Sequence, residues 1–173
     1  DDQTVDCFSN VPSPAPLLGV ATDNCDPSPV TSHVGDVQSG TACPYTITRT
    51  YRVTDASGNS TDCIQIITID DNTPPVLAGC PSSVTVNCGA IPAPAAVTAT
   101  DNCAGVSVAM TETETPGACA QEKTITRTWT ATDFCGNTAS CTQVITVVDN
   151  AAPVITSSPG PISVQCVADV PVP

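Results

Sequence analysis

The chain has 173 residues, 17 acidic and four basic, for a formal net charge of −13. Nucleic-acid phosphates are repelled by such a surface, so nucleic acid is excluded as a partner. No apolar run is long enough to span a membrane, and no signal-peptide pattern opens at Asp1, so the sequence reads as a mature or excised piece.

Threonine (26 residues), valine and 17 prolines outweigh helix-favouring residues, which predicts an all-β chain. In chain order, DDQTVDCFSNVPSP reads as the tail of a first strand and a proline-rich corner. The plan returns at 84–94 (VTVNCGAIPAP) and at 161–173 (PISVQCVADVPVP), making Cys7, Cys88 and Cys166 equivalent. ATDNC follows at 21–25 and again at 99–103. Polar segments then run to Cys43 and to Cys119.

Each unit closes on the same stretch. TITRTYRVTDASGNSTDCIQIITIDDNTPPV (46–76) and TITRTWTATDFCGNTASCTQVITVVDNAAPV (124–154) share 17 of 31 positions without a gap, 78 residues apart. A repeat of that length predicts an array with units at 1–72 and 73–150 and the first strand of a third at 151–173.

Alternation within the stretch predicts a strand, a turn and a second strand. Ile125, Trp129, Ala131, Cys141, Ile145 and Val147 share one face, as do Ile47, Tyr51, Val53, Cys63, Ile67 and Ile69. Arg49 and Arg127 recur on that face, with a packed stem and a head expected to reach the rim. Asp55–Asn59 and Asp133–Asn137 supply Gly and Asn where the turn needs left-handed backbone. Pro74, Pro75 and Pro153 stiffen the exits, so DDNTPP is a short rigid linker.

The run ATDNC, TRTWTATDxCGN and CxQxITVxDNxxP resembles the hyalin-repeat (HYR-like) modules of large bacterial surface adhesins, over essentially the whole chain. The resemblance implies immunoglobulin-like β-sandwiches in tandem on a secreted or surface-anchored protein. Such repeats occur in cell-surface filaments and in adhesins of gliding bacteria. Unit one departs from the pattern at Ser57, where unit two has Cys135.

A unit of about 78 residues buries a small core and needs covalent staples. Unit one has four cysteines and unit two six, with Cys166 left over. Even counts without metal-ligand spacing predict disulfides formed within each unit in an oxidising, extracellular setting, with no free thiol in residues 1–150. Unit one lacks equivalents of both Cys80 and Cys135, which predicts Cys80–Cys135. The rest of unit two closes either as Cys88–Cys141 with Cys103–Cys119, joining first strand to last, or as Cys88–Cys103 with Cys119–Cys141. The first option is preferred, and it gives Cys7–Cys63 and Cys25–Cys43 in unit one.

The aspartates cluster at strand ends beside Asn and Gly. In an immunoglobulin-like unit, Asp101, Asn102, Asp133 and Asn137 would face Asp70, Asp71 and Asn72 of the linker. Hard oxygen ligands from three segments suit calcium, and the linker resembles the acidic, proline-ended joints where cadherin repeats bind it. The same roles fall to Asp23, Asn24, Asp55 and Asn59 in unit one and to Asp149 and Asn150 at the next exit. The competing reading is that these residues only cap turns. Asn59-Ser-Thr is one formal glycosylation site.

His33 is the sole histidine, without a matching nucleophile, and the sole lysine, Lys123, permits at most one isopeptide link. No constellation supports catalysis. The sequence therefore predicts a non-catalytic structural module of an extracellular surface filament or adhesin with calcium-rigidified joints. Its partners would be neighbouring repeats or copies of itself, with surface glycans as a further possibility. The alternatives are a head-to-tail, strand-exchanging polymer subunit and a carbohydrate-binding module.

Overall fold

The computed structural model describes residues 1–15, 21–119, 121–157 and 160. Apart from a 3-10 turn at Phe8–Asn10, the regular structure among these residues is all strand. In unit one, β1 (Gln3–Val5), β2 (Val30–Ser39), β3 (Tyr45–Thr54) and β4 (Ser60–Ile69) form a sheet in the order β1-β4-β3-β2. After the linker come β5 (Val76–Ala78), β6 (Val84–Asn87), β7 (Thr98–Thr100), β8 (Ser107–Pro116), β9 (Lys123–Thr132) and β10 (Thr138–Val148). There the order is β6-β10-β9-β8, with β5 and β7 paired in a smaller sheet, a sandwich-like arrangement. The sequence repeat is thus a repeat of topology. The expected first strand of a third unit, with Cys166, falls mostly outside the described residues, and 151–157 hold no strand.

The alternating pattern sets the buried face. Ile125, Trp129 and Ala131 of β9 and Ile145 and Val147 of β10 are buried, as are Ile47, Tyr51, Ile67 and Ile69 in unit one. Ile125 pairs with Ile145, and Ile47 with Ile67, directly across the antiparallel ladders. Each core is small: Ile47, Ile67 and Ile69 in one, Ile125, Ile145 and Val147 in the other. At roughly 1.5–3 kcal/mol per buried aliphatic side chain, such clusters offset little of the chain's ordering entropy.

The two recurring arginines do not reach the rim. Arg49 is 2% exposed, and its guanidinium donates to Asp36 Oδ1 and Oδ2 (3.0 and 2.8 Å) and to the Pro12 carbonyl (2.8 Å). Arg127 repeats this with Glu112 Oε2 (2.6 Å) and the Pro92 carbonyl (2.8 Å). Each clamps its proline corner to its edge strand. These acceptors are what make burial of the guanidinium tolerable.

The first strand of each unit runs parallel to the last, Val84 beside Ile145 and Val5 beside Ile69. This register overturns the expected cysteine pairs. It sets Cys88 level with Asp149, eight positions past Cys141, or about 26 Å along a strand. Cys88–Cys141 and Cys7–Cys63 are therefore out of reach. Cys103–Cys119 and Cys25–Cys43 fail because β8 and β2, ten residues each, separate the partners. Cys80 falls level with Cys141 and is bonded to it, not to Cys135. Among the described residues the other bridges are Cys7–Cys103 and Cys43–Cys135, whereas Cys25, Cys63, Cys88 and Cys119 are free and exposed.

The Arg49 guanidinium, hydrogen-bonded to Asp36, lowers that carboxyl from 3.8 to about 2, and His33 adds to the effect. A depressed folded-state value gives stability that is full above the unfolded pKa and lost as pH falls through the folded one. Urea midpoints should therefore drop between about pH 4 and pH 2, and the drop should be shallower in Asp36→Asn; parallel profiles would contradict the clamp.

Candidate functional site

The chain leaves β4 through Asp70-Asp71-Asn72-Thr73-Pro74-Pro75. The Asp70 N–H donates to Val5 O (2.9 Å), prolonging the parallel ladder by one bond. Asp71 then turns inward, 2% exposed, with Oδ1 accepting the Thr73 N–H at 3.0 Å. Pro75 is buried and Asn72 exposed.

Two loops of unit two receive the linker because the β9–β10 hairpin and the β7–β8 connection open at the same end. In the hairpin turn, Asp133 Oδ1 accepts the N–H groups of Cys135 (2.8 Å) and Asn137 (2.9 Å). Gly136 closes the turn at φ +92°, a conformation that side chains rarely adopt. Asn137 Nδ2 donates both to Asp133 Oδ2 and to the Asp71 carbonyl, each at 2.8 Å. In the other loop, Asp101 Oδ1 accepts the Cys103 N–H (3.0 Å), and Asn102 Nδ2 lies 3.4 Å from Asp71 Oδ1.

Of the seven residues expected at this joint, Asp71, Asp101, Asn102, Asp133 and Asn137 are brought together. Asp133 spends its carboxylate on the turn, as the capping reading requires, and Asn137 divides its amide N–H groups between the turn and the linker. Asp71 Oδ2 and Asp101 Oδ2 are different: both are buried and neither accepts a hydrogen bond. Carboxylate oxygens of Asp71 and Asp101 lie within 4.8 Å of each other and of Cys103 Sγ, the one group with cation-binding geometry among the described residues. Cys103 is bonded to Cys7 and has no thiolate to offer. Asp71 is buried and Asp101 half-buried, and like charges this close repel, which favours a cation between them.

The joint is also covalent. Cys7–Cys103 and Cys43–Cys135 both tie unit one to unit two, across 96 and 92 residues. On the chain-entropy account, closing a loop of that size contributes roughly 4–5 kcal/mol per bridge. Between the bridges, Phe8, Tyr45 and Phe134 form a ring cluster with centroids 5.3 to 6.1 Å apart. Phe134, from unit two, packs against the Ile47, Ile67 and Ile69 core of unit one. The sequence pattern missed this because the aromatics do not repeat: Ala56, Gly89 and Lys123 hold the matching places.

The outer ends carry the other expected ligands. Asp23 Oδ1 accepts the N–H groups of Cys25 and Asp26, each at 2.8 Å. Asp55 caps its hairpin as Asp133 does, its carboxyl lowered first by the Asn59 side chain and then by the Asn59 backbone. Asp23, Asp55 and Asn59 line an open cleft of about 220 Å³, whereas Asn24 is merely exposed. Asn59 Nδ2, the atom a glycan would modify, donates to Asp55 Oδ2 at 2.7 Å. Asp149 repeats the turn of Asp71, accepting the Ala151 N–H at 2.9 Å, with Asn150 exposed beside it. His33 bonds Asp36 and meets the Tyr51 ring edge-on. No helix among the described residues is long and apolar enough to cross a membrane.

The sequence model of the HYR-like domain with 4 cysteines matches residues 1–69 and again 77–147. No curated protein matches the chain.

A protease site inserted after exposed Asn72 tests the joint directly. After cleavage the halves should migrate together on a non-reducing gel and separate only with reductant. Halves that part without reductant would show bridges confined within units. Phe134→Ala should lower stability by roughly 1–3 kcal/mol, measured by urea unfolding, since the ring is only half-buried; an unchanged midpoint would remove the ring cluster from the account.

Proposed function

The chain belongs to the family of HYR-like domains with four cysteines, an extracellular adhesion-type repeat, and from that premise we propose that it is a load-carrying, non-catalytic segment of a cell-surface filament or adhesin. The observation that carries the reading is the joint. A flexible tether between folded beads needs neither two cross-unit disulfides nor a shared aromatic cluster. A shaft that resists bending and stretching needs both, because load passes from unit to unit through the joint.

In this reading calcium completes the joint. Asp71 and Asp101 supply one unpartnered oxygen each, from opposite sides of the boundary. Oxygen ligands and a double charge are what Ca²⁺ prefers, and water fills the remaining positions of its six to eight. Asp133, Asn102 and Asn137 support the pair by fixing the loops rather than as ligands. The cation offsets the repulsion and fastens linker to socket, adding rigidity to a connection already covalent. Strand exchange is not needed to place β1 or β6, since each pairs within its own unit.

Calorimetry in calcium and in chelator tests this reading, with a predicted sign for each variant. Calcium at 100 times its dissociation constant should stabilise the oxidised chain by about 2.7 kcal/mol. Asp71→Asn and Asp101→Asn should abolish that response. In chelator each variant should be at least as stable as the parent, because one of two repelling charges is gone. Identical melting with and without calcium would leave the aspartates as turn caps.

A further inference from the structure

Cys88 and Cys119 are exposed thiols at the trailing end of unit two, where Cys7 and Cys43 sit in unit one. The equivalence is structural as well as sequential. Cys7 is level with Asp71 in the β1–β4 register, and Cys88 with Asp149 in the β6–β10 register. Cys43 precedes β3 as Cys119 precedes β9. Cys88 Sγ lies 3.6 Å from the Gln121 carbonyl, so its loop abuts the loop that starts at Cys119. Asp149 repeats the hydrogen-bonded turn of Asp71 beside them, here with its side chain exposed. In unit one the same set, two cysteines and a turned aspartate, engages the next unit through both bridges.

We propose that Cys88 and Cys119 form a two-thiol docking end for the leading end of another HYR-like repeat carrying cysteines in both its ATDNC and TDxCGN loops. Cys88 bonds the ATDNC cysteine, as Cys7 bonds Cys103, and Cys119 bonds the TDxCGN cysteine, as Cys43 bonds Cys135. Each bridge forms by two exchanges with a small-molecule disulfide such as oxidised glutathione. A thiolate attacks one sulfur of the disulfide and releases one glutathione thiol. The partner cysteine then attacks the mixed disulfide and releases the second, so two protein thiols become one disulfide and one glutathione disulfide becomes two thiols.

The chemistry of the ends selects this occupant over a second copy of the same chain. The leading end of unit one offers Cys25, but Ser57 stands where the second cysteine is needed, so a copy docked there leaves Cys119 unpaired. Gly89 and Lys123 replace Phe8 and Tyr45, so this end presents sulfur and carboxylate without the aromatic surface. Disulfides therefore carry more of that joint than of the one between units one and two.

The proposal rests on the array reading, and the test separates the two. Residues 1–150 followed by a second copy of 73–150 place a complete leading end after unit two. The protein is oxidised with glutathione disulfide and its peptides are mapped without reduction. Cys88 is expected linked to Cys103 of the added copy, and Cys119 to Cys135 of that copy. A Cys88–Cys119 bridge, or both thiols still open to iodoacetamide while Cys7–Cys103 and Cys43–Cys135 are formed, overturns the proposal and leaves the array reading standing. Loss of those two bridges as well overturns both. A second measurement uses the 173-residue chain carrying Ser57→Cys at high concentration with the same oxidant. Covalent multimers linked from Cys88 to Cys25 and from Cys119 to position 57 are expected, whereas a protein that stays monomeric, or multimers that link other cysteines, contradicts the proposal.

Discussion

The parallel pairing of each unit's first strand with its last is the constraint from which the rest follows. Strand geometry fixes the height of every residue along the sheet, so once Val5 lies beside Ile69 and Val84 beside Ile145 the cysteines have no freedom to choose partners. Cys7 is carried to the exit of unit one, level with Asp71, and Cys80 is laid across from Cys141. The short β1 and β6 matter less for the area they bury than for where they deliver the sulfur that follows.

The same register explains why stabilising interactions concentrate between units. Each unit has only a few fully buried aliphatic residues, and the surface bears strong net negative charge that opposes compaction. The interior therefore relies on hydrogen-bonded clamps such as Arg49 with Asp36 and Pro12, whose acceptors come from distant segments. Three of the five aromatic rings lie at the boundary, along with two of the three disulfides among the described residues. Phe134 is the clearest case, a turn residue of unit two that completes the core of unit one. The units are consecutive in sequence yet joined in packing, and the proline-ended linker only has to span a gap that the bridges already close.

Much of this was legible in the sequence. The repeat, the alternating faces of β3, β4, β9 and β10, and the Asp-capped Gly-Asn turns follow from side-chain periodicity and backbone preference, which are local. The meeting of Asp71 with Asp101 was legible too, because a sandwich must present its hairpin end to the incoming linker. The disulfides were not, and parity is the reason. Two trailing cysteines of one unit joined to two leading cysteines of the next leave the same even totals as bridges closed within a unit. Only the β1–β4 register, a non-local quantity, distinguishes the two. The arginines misled for a related cause: their apolar-face position was visible, but the Pro12 and Pro92 carbonyls that satisfy them lie 37 and 35 residues away.

The joint is a covalent part of the fold, and non-reducing peptide mapping of the oxidised 173-residue chain puts that to the test. Linked peptides joining Cys7 to Cys103 and Cys43 to Cys135, with Cys80 joined to Cys141, are the predicted result. Peptides joining Cys7 to Cys63 and Cys25 to Cys43 would contradict it and return the array to separately closed beads on a linker.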